Sequence, residues 1–239
     1  MESMKNERMQ TDLITNVSHD IKTPLTSIIN YVDLLKRENI ENEKAKGYIE
    51  VLEQKSQRLK HLTEDLVEAS KISSGNIKLE CTQIQMQEMI YQAGGEFADK
   101  FEVKGLKLID NLPKEPLYIR ADGRRLWRVL ENLFNNVSKY AMPNTRVYVD
   151  LIDLGTEVKF SIKNISEQRL NIEAKDLTER FIRGDISRST EGSGLGLSIA
   201  KNLTELQGGK FFVYLDGDLF RVTITFPKLE ALPENMSIH

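Results

Sequence analysis

The sequence predicts an α+β chain in two parts: a helical hairpin over residues 1–76, then an α/β sandwich over residues 77–230, with 231–239 as a tail. Three observations carry this. Only two of the 14 glycines, Gly47 and Gly75, fall in the first 80 residues. Apolar residues in that stretch recur at heptad spacing. Beyond Ile77 the pattern changes to short alternating runs punctuated by Asp/Gly turns. A composition of 40% hydrophobic and 29% charged residues suits a chain that buries a core. A formal net charge of −3 argues against general nucleic-acid binding. The single cysteine, Cys81, excludes an intrachain disulfide framework and a clustered-cysteine zinc site. No apolar run is long enough for a membrane span, and the charged start is no signal peptide.

In the first helix Ile14, Ile21, Ile28 and Leu35 recur every seven residues, interleaved with Ser18, Leu25 and Val32. A second stripe runs through Tyr48, Leu52, Leu59, Leu62, Leu66 and Ala69, broken at Lys55. The polar stretch NIENEKAKG between them reads as the hairpin turn, and SSGN (73–76) ends the second helix and opens a linker. A lone hairpin cannot cover both stripes, so two hairpins are expected to pair as a four-helix bundle in a homodimer. Strand-like runs follow at IKLE, LKLID, YIRA, TRVYVDLI, EVKFSIKN, KFFVYLD and LFRVTITF. Helices are expected from about Gln85 to Phe101, Asp122 to Tyr140 and Leu195 to Leu206. Asp153-Leu-Gly155 and Asp216-Gly217-Asp218 mark two hairpin turns, and the helices are expected to cover one face of the sheet.

His19 stands in SHDIKTPLTSI. At 100° per residue it lies about 120° from the centre of the apolar stripe and is expected to face solvent. A neutral imidazole is a competent nucleophile at pH 7, and a neighbouring carboxylate, here Asp20, can fix its tautomer. Thr23 shares its face one turn on, and Pro24 removes a backbone hydrogen bond beside it. His61 and His239 lack such surroundings and read as structural or incidental. HDIKTPLTSI resembles the H-box of the sensor histidine kinases of two-component signalling. That resemblance implies that His19 is phosphorylated, that Asp20 assists proton transfer, and that Thr23 supports dephosphorylation of the partner response regulator.

No P-loop motif is present. GSGLGLSIA, with Gly192, Gly194, Leu195 and Gly196, lets backbone N–H groups approach phosphate at the start of a helix. In ENLFNNVSKYA, Asn132, Asn136 and Tyr140 share one helix face with Lys139 beside them. An amide oxygen of Asn136 suits Mg²⁺ bridging phosphates, Lys139 suits phosphate itself, and Tyr140 can stack on a purine. An asparagine stripe works against helix propensity, which points to a site. These segments resemble the N-box and second glycine box of the same kinases. Their Bergerat (GHKL-type) ATP-binding fold is shared with gyrase, the Hsp90 chaperones and the mismatch-repair ATPases. ERFIRGDISRS resembles the family's F-box and lid, with Phe181 as anchor and Arg183 as the γ-phosphate contact. One box departs. Where the family has Asp-x-Gly-x-Gly, this chain reads SIKNISEQRL, so Asn164 replaces the acid that reads the adenine amino group and both glycines are missing.

The resemblance implies the cytoplasmic catalytic core of a sensor histidine kinase. ATP with Mg²⁺ is expected to phosphorylate His19, and a response-regulator aspartate to receive the phosphoryl group. No membrane contact is expected within this stretch, although most of the family is membrane-anchored and a membrane-anchored parent protein is expected. A nucleotide-responsive regulator phosphatase or scaffold is the alternative, motivated by Asn164. A chaperone-like or mismatch-repair ATPase fits the H-box poorly.

Overall fold

The computed structural model describes residues 21–38, 40–73, 77–170, 177 and 195–230. The chain divides into two compact units, Met1–Ile77 and Lys78–His239.

In the first unit, helix α1 is described over 21–37 and α2 spans Glu43–Ser73. The turn is shorter than the polar run suggests. Asn42 ends it: its Oδ1 accepts from the N–H groups of Lys44 (3.0 Å) and Ala45 (3.2 Å), an N-cap that draws EKAKG into α2. Ile29, Val32 and Asp33 of α1 share a crevice with Glu53, Ser56 and Gln57 of α2. The Lys36 ammonium meets both Glu53 carboxylate oxygens at 2.8 Å.

The heptad pattern splits in two. Leu25 and Val32 are buried, whereas Ile21, Ile28 and Leu35 are exposed. On α2 the buried positions also recur every seven residues, at Ile49, Ser56, Thr63 and Ser70, while Leu52 and Leu59 face outward. Ser56 and Thr63 turn their hydroxyls onto the carbonyls of Leu52 and Leu59 in the preceding turn, so small polar residues pack inside the hairpin without leaving those hydroxyls unpaired.

The second unit runs β1 (Cys81–Gln85), α3 (Met86–Val103), β2 (Lys107–Asn111), β3 (Tyr118–Asp122), α4 (Gly123–Tyr140), β4 (Arg146–Asp153), β5 (Glu157–Ile165), α5 (Gly196–Leu206), β6 (Lys210–Asp216), β7 (Leu219–Leu229). The strands form one sheet in the order β1-β3-β7-β5-β4-β2, with β6 also on β7. All pairs are antiparallel except β2 with β4, so the sheet is mixed rather than built only of hairpins. β7 is its spine. One edge pairs with β5 from Leu219 to Pro227; the other pairs first with β6 and then, at Lys228 and Leu229, with β3.

The IKLE expectation fails: the strand is the next segment, CTQIQ, held antiparallel to β3 from Cys81↔Asp122 to Gln85↔Tyr118. Apolar alternation in IKLE is as good as in CTQIQ, and the pairing partner decides between them. Both Asp/Gly turns form, with Gly155 at φ 84° and Gly217 at φ 56°, the left-handed region hairpin turns require.

Burial alternates along β4 and β5. Val147, Val149, Leu151, Val158, Phe160 and Ile162 point into the core, and their neighbours mostly point to solvent. Helices α3, α4 and α5 pack side by side in that order. Between α3 and α4, the rings of Phe97, Phe101 and Phe134 lie 5.6–6.3 Å apart.

Candidate functional site

Helix α4 is the axis of the site. Asp122 caps its start, accepting from the Arg125 N–H at 3.1 Å and from the Glu80 N–H at 3.0 Å. Burial by itself would raise this carboxyl; the N–H groups of Glu80, Arg125 and Arg124 and the Arg125 charge outweigh it and hold the group below the ordinary carboxylate value. Leu126, Val129, Leu130, Leu133, Phe134 and Val137 bury one side of the helix. Asn132, Asn135, Asn136 and Tyr140 are half-buried along the flank, and the Lys139 side chain is exposed.

Two other segments converge on the C-terminal half of α4. The first is the end of β5. The Met142 N–H donates to the Ile165 carbonyl and the Glu167 N–H to the Tyr140 carbonyl, each at 2.8 Å, and Ala141 bridges to Ser166. Asn164 therefore sits beside the end of α4, on the helix-covered face of the sheet by strand alternation. It is only 3% exposed. Its Nδ2 donates to the Ile165 carbonyl at 3.0 Å, and its Oδ1 is buried with no hydrogen-bond partner among the described residues.

The second segment is the start of α5. Gly196 approaches Asn132 so closely that a Cβ there would lie 3.1 Å from Asn132 Oδ1. Asn132 Nδ2 is also buried and without a partner among the described residues. Leu195 gives α5 no side-chain cap, and the Ser198 hydroxyl donates to the Leu195 carbonyl at 2.9 Å.

A buried acceptor at one end of this flank and a buried donor at the other are costly unless something completes them. A purine amino group and an anion at a helix N-terminus are of the right chemistry, so an adenine nucleotide fits. The structure thus brings together Asn132, Asn136, Lys139, Tyr140, Asn164, Leu195 and Gly196. Thr23 belongs to the first unit, exposed on α1, its carbonyl accepting from the Ser27 hydroxyl at 3.3 Å. His19, Asp20, Phe181, Arg183, Gly192 and Gly194 lie outside the described residues. Among the described residues no cluster of three or more His, Cys, Asp or Glu could hold a metal. A cation held by one amide oxygen and nucleotide phosphates would not form such a cluster. Sequence reasoning missed Lys104 and Glu167, which meet at the end of α4; the absent glycines after Asn164 were a signal for the segment of Glu167 but not for Lys104.

A mixed sheet covered by three helices, with these groups gathered on α4, defines a nucleotide-binding domain. Residues 121–230 match the family model of the histidine kinase-, DNA gyrase B- and HSP90-like ATPases. Residues 9–75 match the His Kinase A phospho-acceptor domain. With both domains in this order, the chain belongs to the sensor histidine kinases.

It is 32% identical over 228 residues to the sensor protein VanSC of Enterococcus gallinarum, covering 93% of this chain and 62% of that protein. To the sensor histidine kinase WalK of Bacillus subtilis (strain 168) it is 28% identical over 239 residues, covering 96% of this chain and 38% of WalK. The chain thus spans less than two thirds of the first of these relatives and under two fifths of the second. The crystal structure of full-length ShkA in complex with AMPPNP aligns with a TM-score of 0.79 at 21% identity, over 93% of this chain and 47% of that one. The histidine kinase ThkA in complex with the response regulator protein TrrA aligns at 0.65 and 23%, over 95% and 66%. At these identities the likeness shows the fold. Among the described residues no helix is long and apolar enough to cross a membrane.

Proposed function

We propose that residues 78–230 bind ATP and that its γ-phosphoryl group passes to His19. The buried, unpartnered Oδ1 of Asn164 carries the nucleotide reading, as an acceptor placed for the adenine amino group. Tyr140 stacks on the base, and Lys139, Arg183 and the backbone of Gly192, Gly194, Leu195 and Gly196 hold the phosphates. Asn136 holds Mg²⁺, which when bound neutralises phosphate charge. In the transfer an imidazole nitrogen of His19 forms the N–P bond as the bond to the ADP oxygen breaks. Asp20 accepts a hydrogen bond from the other ring N–H, stabilises the imidazolium that forms and takes its proton, leaving neutral phosphohistidine.

A response-regulator aspartate then takes the phosphoryl group, and Thr23 serves the reverse reaction, loss of phosphate from that regulator. The exposed Ile21, Ile28, Leu35, Leu52 and Leu59 form the face on which a second hairpin pairs in a homodimer. The chain works in the cytoplasm, as the inner part of a membrane-anchored parent protein.

The test is transfer from γ-labelled ATP with Mg²⁺ to the native chain, His19→Gln and Asn136→Ala. Acid-labile, alkali-stable label on the native chain alone is the expected outcome. Label surviving His19→Gln would remove His19 as acceptor. Asn164 in place of an aspartate favours a second reading, a regulator phosphatase or scaffold, and ATP binding without any label would select it.

A further inference from the structure

Lys104 follows α3 as its C-cap residue, and its side chain is only 19% exposed. Its Nζ donates to the Lys139 carbonyl at 2.8 Å and pairs with the Glu167 carboxylate at 3.2 Å. The Lys139 carbonyl is one of the last four of α4, which lack partners within the helix and form its negative pole, so an ammonium is well placed there. The adjoining Tyr140 carbonyl is taken by the Glu167 N–H. Two consecutive carbonyls of α4 are thus tied to the same residue after β5, one through the backbone and one through Lys104. Lys104 is itself held in place, since its carbonyl accepts from the Asn144 N–H at 3.1 Å.

Glu167 stands three residues after Asn164, within the segment where the two expected glycines are replaced by Ser166 and Gln168. Ser166 is buried, and its Oγ accepts from the Gln168 N–H at 3.4 Å. Without glycines the segment's backbone is confined to ordinary conformations; backbone hydrogen bonds hold it, from the Ser166 N–H to the Asp218 carbonyl at 2.7 Å and from the Glu167 N–H to the Tyr140 carbonyl, and the Lys104–Glu167 pair adds a side-chain tie.

We propose that Lys104 is a positioning residue for the nucleotide: with Glu167 it fixes the segment after Asn164 against the end of α4 and so sets the preference for adenine over guanine. This rests on the nucleotide reading above. A purine carrying an amino group at the position Asn164 faces is favoured. One carrying a carbonyl there is rejected, because two acceptors would then meet.

The experiment measures ATP and GTP affinity of the full chain by titration, for the native protein, Lys104→Met and Glu167→Gln, and repeats it on an Asn164→Leu background. Lys104→Met is expected to weaken ATP about five- to tenfold and GTP less than about twofold. Glu167→Gln, which alters a half-exposed side chain with little risk to folding, shifts the preference the same way by a smaller factor. In Asn164→Leu neither change moves the ATP/GTP ratio further. Equal weakening of both nucleotides, an unchanged ratio in both variants, or an undiminished effect without Asn164 would overturn the proposal. A native chain that binds neither nucleotide would overturn the nucleotide reading and the positioning role with it, whereas ATP binding with an unmoved ratio sinks the positioning role alone.

Discussion

The Asp122 carboxylate joins two pieces of chain, capping α4 through the Arg125 N–H and anchoring the Glu80 N–H ahead of β1. Because its value is lower in the folded protein than in the unfolded chain, its contribution is complete above the ordinary carboxylate value of about 3.9 and is lost as pH falls through the depressed native value. Asp122→Ala should cost about 1–2 kcal/mol at pH 7. Its stability should then vary less with pH below about 4 than that of the native protein, as urea unfolding across that range would read out. A parallel pH dependence in both proteins would show that the cap does not contribute. At this scale the sequence was informative where a residue type was unexpected, as with asparagines on a helix. It was silent on Lys104, because a lysine after a helix is ordinary until its partner, 63 residues away, is known.

Among the elements, the hairpin illustrates how much periodicity can say. Heptad spacing located both helices, but it could not tell which apolar positions face the partner helix and which face outward. Ser56, Thr63 and Ser70 fill the inner face of α2, and their small size lets the larger leucines turn out. Substitutions should separate the two faces. Ile28→Glu, on the outer face, should weaken self-association by about 100-fold or more while leaving the hairpin helical. Val32→Ala, buried between the helices, should cost about 2 kcal/mol of stability with little direct effect on association. Sedimentation equilibrium and thermal unfolding distinguish the two, and a monomeric native chain would refute the pairing. The strand misplaced by four residues, IKLE for CTQIQ, has a related cause: an edge strand is chosen by its neighbour β3 as much as by its own alternation.

At the scale of the whole molecule, the boundary at Ile77 and Lys78 separates the unit whose sequence includes His19, the proposed acceptor, from the unit that gathers the groups proposed to hold the nucleotide. A fragment of residues 78–230 should therefore fold alone and bind ATP within about twofold of the full chain, yet take up no label from γ-labelled ATP. Label on that fragment would point to an acceptor outside the hairpin. The two-part architecture was legible because glycine content and periodicity both change near that boundary. The mixed sheet was not, since the parallel β2–β4 pair and the sharing of one β7 edge by β6 and β3 depend on partners distant in sequence.

That shared edge also bears on synthesis. Of the described strands β7 is the last to leave the ribosome, and until it does, among these strands, β5 lacks a neighbour on one side, β6 has no partner, and β3 is paired only with β1. Pairing across such separations is slow to form and leaves strand edges open while it waits. The hairpin, whose contacts are local, can form during translation. The nucleotide domain cannot close until residues 219–229 have emerged, so a nascent chain arrested before them would display an acceptor hairpin without a finished kinase domain behind it.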